Sequence, residues 1–234
     1  MMDVKKVVKK IVDYKQHNSH LKEVTLDNEV VYAPFPKDKE KNNYGFMVFS
    51  EEETEIKSDC KYKHRYYYYE EFKNKKRKNI IFIMFNPSTA SPGKDDQTIR
   101  NCRSLVKDEY KSMEIINLFS ERRSEGSKIQ DSDNVNNSAF LKEFLSRFKN
   151  PAKQKVVIAW GYGKDNDKNC KDEIDKINKL LEGFSKMKIT VRKNALKDAQ
   201  NLARHPNQAF WKGFNKKLSK DFNQIAEIAK ITKY

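Results

Sequence analysis

Ile80-Ile81-Phe82-Ile83-Met84-Phe85-Asn86-Pro87-Ser88-Thr89 begins with six apolar residues in a row and turns polar at an Asn-Pro step. An alternating pattern would mark a strand wetted on one face. An unbroken run marks a strand buried on both faces, as in a parallel sheet covered by helices. Downstream, residues 97–109 have helical spacing, with Asp95 or Asp96 placed to cap the first turn. Residues 113–116 read as a second strand, and 137–148 as a helix with Phe140, Leu141, Phe144, Leu145 and Phe148 on one stripe. A third strand at 156–160, a helix at 172–181, a fourth strand at 187–191 and a closing helix at 210–229 complete the series. This order predicts an α/β fold: a three-layer α/β/α domain over residues 61–234, with a central, mostly parallel four-stranded sheet.

Upstream, residues 1–60 are more polar and weakly patterned. A helix is expected over residues 4–14 and short strands over 29–32 and 44–49, with Pro34 and Pro36 between the strands. These residues are expected to form an N-terminal extension packed on the core. No internal repeat is visible.

The chain has 234 residues, 35% of them charged, and a net charge of +15. Its longest apolar runs, at residues 80–85 and 156–160, fall far short of the roughly 20 residues of a spanning helix, which excludes an integral helical membrane protein. Residues 1–10 alternate Val and Lys where a secretory leader would be apolar, so secretion is not expected. Cys60, Cys102 and Cys170 are odd in number and widely spaced, which suits neither a disulfide framework nor a clustered metal site, and the expected compartment is the cytoplasm. The excess charge sits in two stretches, residues 61–79 and 186–220. Both flank the proposed cleft in sequence and are expected to border it as a polyanion-binding face, although a lysine-rich solubilising surface has the same composition.

Polar residues interrupt the pattern at one geometrical location. Asn86 follows the first strand, Asn117 the second and Gly161 the third; His205 comes after the fourth, in Arg204-His205-Pro206-Asn207. In open α/β sheets the ligand crevice lies beyond the carboxyl ends of the strands. Each residue also has an ordinary explanation, because Asn-Pro and His-Pro are turn chemistry and an asparagine after a strand can cap a helix. His17 and His20 lack a carboxylate or cysteine partner nearby, and Gly161-Tyr162-Gly163 lacks the third glycine of a dinucleotide loop. No metal, NAD or FAD is therefore expected, and no cofactor of any kind.

The blocks Arg65-Tyr66, Ile81 through Ala90, Asp95 through Cys102, Ile116-Asn117-Leu118-Phe119-Ser120, Ala159-Trp160-Gly161 and Arg204-His205-Pro206 occur in order. Together they resemble the bacterial and phage family catalogued as domain of unknown function 1643, over about residues 62–210. More distantly, the order of strand-end Asn-Pro, Asn, Trp-Gly and His-Pro is similar to the uracil-DNA glycosylase superfamily.

The second resemblance implies a DNA glycosylase that flips a damaged or modified base, such as a modified base in phage DNA, and attacks the N-glycosidic bond with water. In that reading Asn86 positions the water, Asn117 hydrogen-bonds the base, and His205 stabilises the departing base. Asp95 or Asp96, the latter the chosen candidate, is expected to supply an assisting carboxylate, with helix capping as the alternative duty of either. Pro87, Ser88, Phe119 and Trp160 are expected to line the base pocket. Arg122, Arg123, Lys164, Arg204, Phe210, Trp211 and Lys212 are expected to contact DNA, single- or double-stranded. Asn86 stands where the best-known branch carries an Asp, which places this chain nearer the Asn-Pro branches. A monomer is expected. The alternative is a module of the same fold that binds nucleic acid or a nucleotide without chemistry. Tyr66, Tyr67, Tyr68 and Tyr69 have two readings as well, as base-stacking platforms or as a strand with core tyrosines.

Overall fold

The structure is a computed structural model, and it describes residues 2–16, 25–27, 30–35, 44–50, 62–87, 90–92, 94–122, 134–160, 168–191 and 229–233. Four helices and nine strands follow one another in the described residues: α1 (Val4–Gln16), β1 (Thr25–Asp27), β2 (Val30–Pro34), β3 (Tyr44–Ser50), β4 (Arg65–Glu71), β5 (Asn79–Met84), α2 (Gln97–Val106), β6 (Ser112–Asn117), α3 (Val135–Ser146), β7 (Lys155–Ile158), α4 (Lys168–Leu180), β8 (Ser185–Val191) and β9 (Ala229–Lys233). The strands form a single mixed sheet in the order β1-β2-β3-β4-β6-β5-β7-β8-β9. This corrects the expected four-stranded sheet.

The four expected strands are present as its parallel part, with β5 between β6 and β7, and β8 beyond β7. Antiparallel strands extend that part on both sides, β4 against β6 and β9 against β8. The first 60 residues, expected to pack on the core as an extension, lay β1, β2 and β3 into the same sheet. The closing helix expected at 210–229 lies outside the described residues except for Ala229, where β9 begins.

The unbroken apolar run of β5 is explained by cover on both faces. Ile81 and Ile83 belong to one core cluster, with Val7, Val8 and Ile11 of α1, Phe140 and Phe144 of α3, and Ile174 and Ile177 of α4. Ile80, Phe82 and Met84 belong to the other, with Ile99, Cys102 and Val106 of α2. The chain steps from β5 to β6 through α2 on one face. It then returns past β5 to β7 through α3 on the other face, as right-handed crossovers in opposite directions require.

The tyrosines of β4 are core residues, all buried. Strand pairing explains their distribution: the register between β3 and β4 shifts between Val48 and Phe49, passing from Tyr67 to Arg65 and skipping Tyr66. Such a bulge lets two successive side chains share a face, and Tyr66 and Tyr67 both join the α3-side cluster while Tyr68 joins the α2-side one. At the start of β3, Gly45 is required by close approach, because a Cβ there would collide with the Phe35 ring and the Tyr69 carbonyl oxygen.

Two carboxylates inside the sheet are neutralised by cations from the helices. Glu114 of β6, 1% exposed, meets Lys15 Nζ of α1 at 2.6 Å, Arg147 Nη2 after α3 at 3.3 Å and the Tyr67 hydroxyl at 2.6 Å. Burial alone would raise its pKa; the Lys15 and Arg147 charges, with the hydrogen bonds, outweigh burial and hold it below the ordinary 4.5. On the other face, Glu70 of β4 accepts from Arg103 of α2 and from the Tyr68 hydroxyl.

Candidate functional site

Because β5, β6, β7 and β8 run parallel, their carboxyl ends share one edge of the sheet. The switch in crossover direction lies between β5 and β7, so the residues just after these two strands flank the place where an open α/β sheet forms its crevice. Those residues are Asn86 after β5 and Trp160 after β7. Asn117 closes β6 beside them, paired in register with Met84. Two of the strand-end positions singled out in the sequence, Asn86 and Asn117, are therefore brought to one edge with Trp160, whose neighbour Gly161 lies outside the described residues.

The strand ends are locked by backbone bonds: the amides of Leu118 and Phe119 donate to the carbonyls of Met84 and Phe85, and that of Ala159 to Ile83. The two faces of the edge differ. Side chains of directly paired residues share a face, so Asn117 lies with Met84 on the α2 side. Phe119 and Trp160 are buried in the α3-side cluster, and the Phe119 and Phe85 rings meet edge to face at 5.3 Å.

Asn117 is 2% exposed, and its Nδ2 is buried without a hydrogen-bond partner. A buried amide donor left unmade costs about 1–3 kcal/mol. Native proteins keep few such groups, and those they keep call for an explanation. Asn86 is half-buried, and its Nδ2 donates to the Pro87 carbonyl at 3.2 Å. Pro87 is buried beside it.

Other expected site residues have structural duties. Asp96 is the N-cap of α2, its Oδ1 accepting the Ile99 amide at 2.8 Å. Asp95 Oδ2 is 2.6 Å from Arg103 Nη1. Burial opposes the charge on Arg103, but hydrogen bonds to Glu70 and Asp95 outweigh it and raise its pKa. Arg122, expected on the DNA-contacting face, is 8% exposed. Its guanidinium donates to the Tyr62 and Ala90 carbonyls and sits over the Phe49 ring. It ties the loop after β5 to the segment leading into β4, a structural duty the sequence did not announce. Ser88, Arg123, Lys164, Arg204, His205, Phe210, Trp211 and Lys212 lie outside the described residues.

Several residues at this edge carried no expected role. Asn137, 0% exposed, donates through Nδ2 to the Asn117 and Leu118 carbonyls at 3.1 and 2.8 Å, and Asn134 donates to the Leu118 carbonyl at 2.9 Å. Asn134 occupies the N-cap position of α3, yet its side chain makes no capping bond, and Oδ1 of both asparagines is buried without a partner. The two amides brace the end of β6 and so fix where Asn117 points. Arg65, fully buried at the start of β4, donates its backbone amide to the Ser120 carbonyl, and His64 Nδ1 lies 2.9 Å from Ser120 Oγ. Because β4 is antiparallel to β6, both residues fall at the crevice edge.

The basic stretch 61–79 divides differently from expectation. Lys73, Lys75, Lys76, Arg77 and Lys78 are exposed in the loop before β5, which places them at the amino end of the parallel strands, away from the crevice. Most of the second stretch lies outside the described residues.

Among the described residues no group of His, Cys, Asp and Glu could hold a metal ion. No helix among them is long and apolar enough to cross a membrane. Residues 65–207 match the model of a family described as protein of unknown function (DUF1643). No curated protein and no solved structure matches the chain.

Proposed function

Because the chain belongs to the DUF1643 family, whose description assigns no activity, we propose from the site itself that it is a DNA glycosylase. It hydrolyses the N-glycosidic bond of a damaged or modified base, such as a modified base of phage DNA, by base flipping and water attack on a uracil-DNA glycosylase-like α/β core. The observation that carries this reading is the unpartnered, buried Nδ2 of Asn117 at the carboxyl edge of the parallel strands, next to Asn86 at the crossover switch. A flipped base offers acceptors along its edge, and an amide donor already desolvated gains most from meeting one.

Breaking the bond builds positive charge on the sugar and negative charge on the base, so fixed dipoles supply much of the catalysis. Asn117, held by the braced end of β6, donates to the base edge. Asn86 orients the attacking water through its amide. His205, by resemblance, stabilises the leaving base. Extruding the base costs a few kcal/mol, which is least where the base is modified, mispaired or single-stranded.

One observation favours the second reading, a non-catalytic nucleic-acid- or nucleotide-binding module: Asp96 is engaged in capping and Asp95 in an ion pair, so both nearby carboxylates already have structural work. The experiment that separates the two incubates the protein with DNA carrying uracil, hypoxanthine or hypermodified cytosine and then cleaves abasic sites with alkali. Cleaved strands support the glycosylase. Intact strands on every substrate, with binding retained, decide for the module.

A further inference from the structure

The end of the sheet opposite the crevice is the more strongly basic of the two in the described residues. β5, β6, β7 and β8 start in register, Asn79 beside Ser112, Ile80 beside Lys155 and Lys155 beside Ser185. The four segments leading into them therefore converge on one surface. Five of the six residues from 73 to 78 are basic and all five are exposed. Lys107 and Lys111 precede β6, Lys149 and Lys153 precede β7, and of these only Lys111 is part-buried. Exposed acids on the same surface are fewer: Asp108, Glu109 and Glu182.

The loop is built rather than loose. Phe72 is buried, and its amide donates to the Lys111 carbonyl while the Lys111 amide donates to the Lys78 carbonyl. Asn74 Nδ2 donates to the Lys107 and Tyr110 carbonyls, and Asn74 Oδ1 accepts the Lys76 amide. The backbone that carries the cations is thus fixed against the end of α2. Like charges held close together repel one another, and a polyanion relieves that repulsion while releasing its counterions.

We propose that this amino-end surface is a second nucleic-acid contact, binding the phosphate backbone without reading sequence, independent of the crevice. A spaced row of Lys and Arg on several loops suits a repeating phosphate chain, and the scarcity of exposed large apolar side chains, with Val135 the one described example, gives it no anchor for a lipid surface.

The test replaces Lys75, Lys76, Arg77 and Lys78 with glutamine in the full chain and follows binding of a short duplex of arbitrary sequence by fluorescence anisotropy over a range of salt. The expected result is a shallower dependence of log K on log salt, by about 0.9 for each phosphate no longer neutralised, and affinity at low salt lower by roughly tenfold or more, with the thermal midpoint unchanged. A second variant, Lys107→Gln with Lys153→Gln, draws on two other loops and is expected to shift the slope in the same direction. Unchanged slopes in both variants overturn the proposal. So does binding to phosphatidylserine vesicles that exceeds binding to DNA and is lost with the same substitutions. Excision plays no part in the readout, so an inactive crevice and an inert amino end are told apart.

Discussion

Asn117 and Asn137 are both buried amides at the end of β6, and they should respond oppositely to truncation. Asn117→Ala removes a donor that has no partner, so the relief offsets the lost packing, and the unfolding free energy should change by no more than about 1 kcal/mol. Turnover on the excised base should nevertheless fall by about ten- to a hundredfold. Asn137→Ala leaves the Asn117 carbonyl without this donor and the Leu118 carbonyl with Asn134 alone, and should cost about 1–3 kcal/mol; urea denaturation separates the two. Arg122→Ala should behave as a core change, losing about 2–3 kcal/mol through two orphaned carbonyls and a vacated ring face. The salt dependence of DNA binding should stay where it was. Asn86 and Asn117 were legible because each breaks an apolar strand at its end, and Trp160 because it closes the apolar run 156–160 before a glycine. Asn134 and Asn137 were not, since they act on backbone carbonyls of another element and leave no periodic mark. The bonds of Arg122 were not legible either, because a charge in a sequence does not say which carbonyls it will meet.

At the scale of elements, α2 and β6 each carry one testable dependence. Asp96→Ala removes the N-cap of α2 and should cost about 1 kcal/mol in thermal or urea unfolding. Turnover should be essentially unchanged, and a collapse of turnover without a collapse of stability would return Asp96 to the catalytic set. The carboxyl of Glu114 on β6 is held below the ordinary 4.5. Its contribution is therefore fully present above about pH 4.5 and is lost as pH falls through the lower, folded value. Glu114→Gln should remove that acid dependence and cost about 3–5 kcal/mol at neutral pH, because Lys15 and Arg147 lose the carboxylate they pair with inside the protein. Unfolding curves of both proteins between acid and neutral pH check the sign. Helix and strand positions were largely readable from period, α1, α2, α3, α4, β5, β6, β7 and β8 among them. Neighbours were not: nothing local to residues 65–71 says that β4 pairs with β6, some 40 residues later in the chain. The direction of the basic loop was readable in principle, since residues that immediately precede a parallel strand lie at its amino end, away from a carboxyl-end crevice.

For the whole molecule, the described segments of the first 60 residues, α1, β1, β2 and β3, are part of the same sheet and core. β3 hydrogen-bonds along the length of β4, and Val7, Val8 and Ile11 of α1 fill the same cluster as Phe140 and Phe144. A fragment of residues 61–234 should therefore show no cooperative thermal transition, whereas the full chain should; circular dichroism melts of the two decide it. The family match begins at residue 65, the first residue of β4, so the seam between shared and added sequence runs down the middle of a hydrogen-bonded sheet. A bare row of amides and carbonyls along β4 would invite association with other chains. Any relative built without β1, β2 and β3 must seal that border with some other segment or a partner molecule, so what lies upstream of the common region becomes the place to look for divergence in assembly.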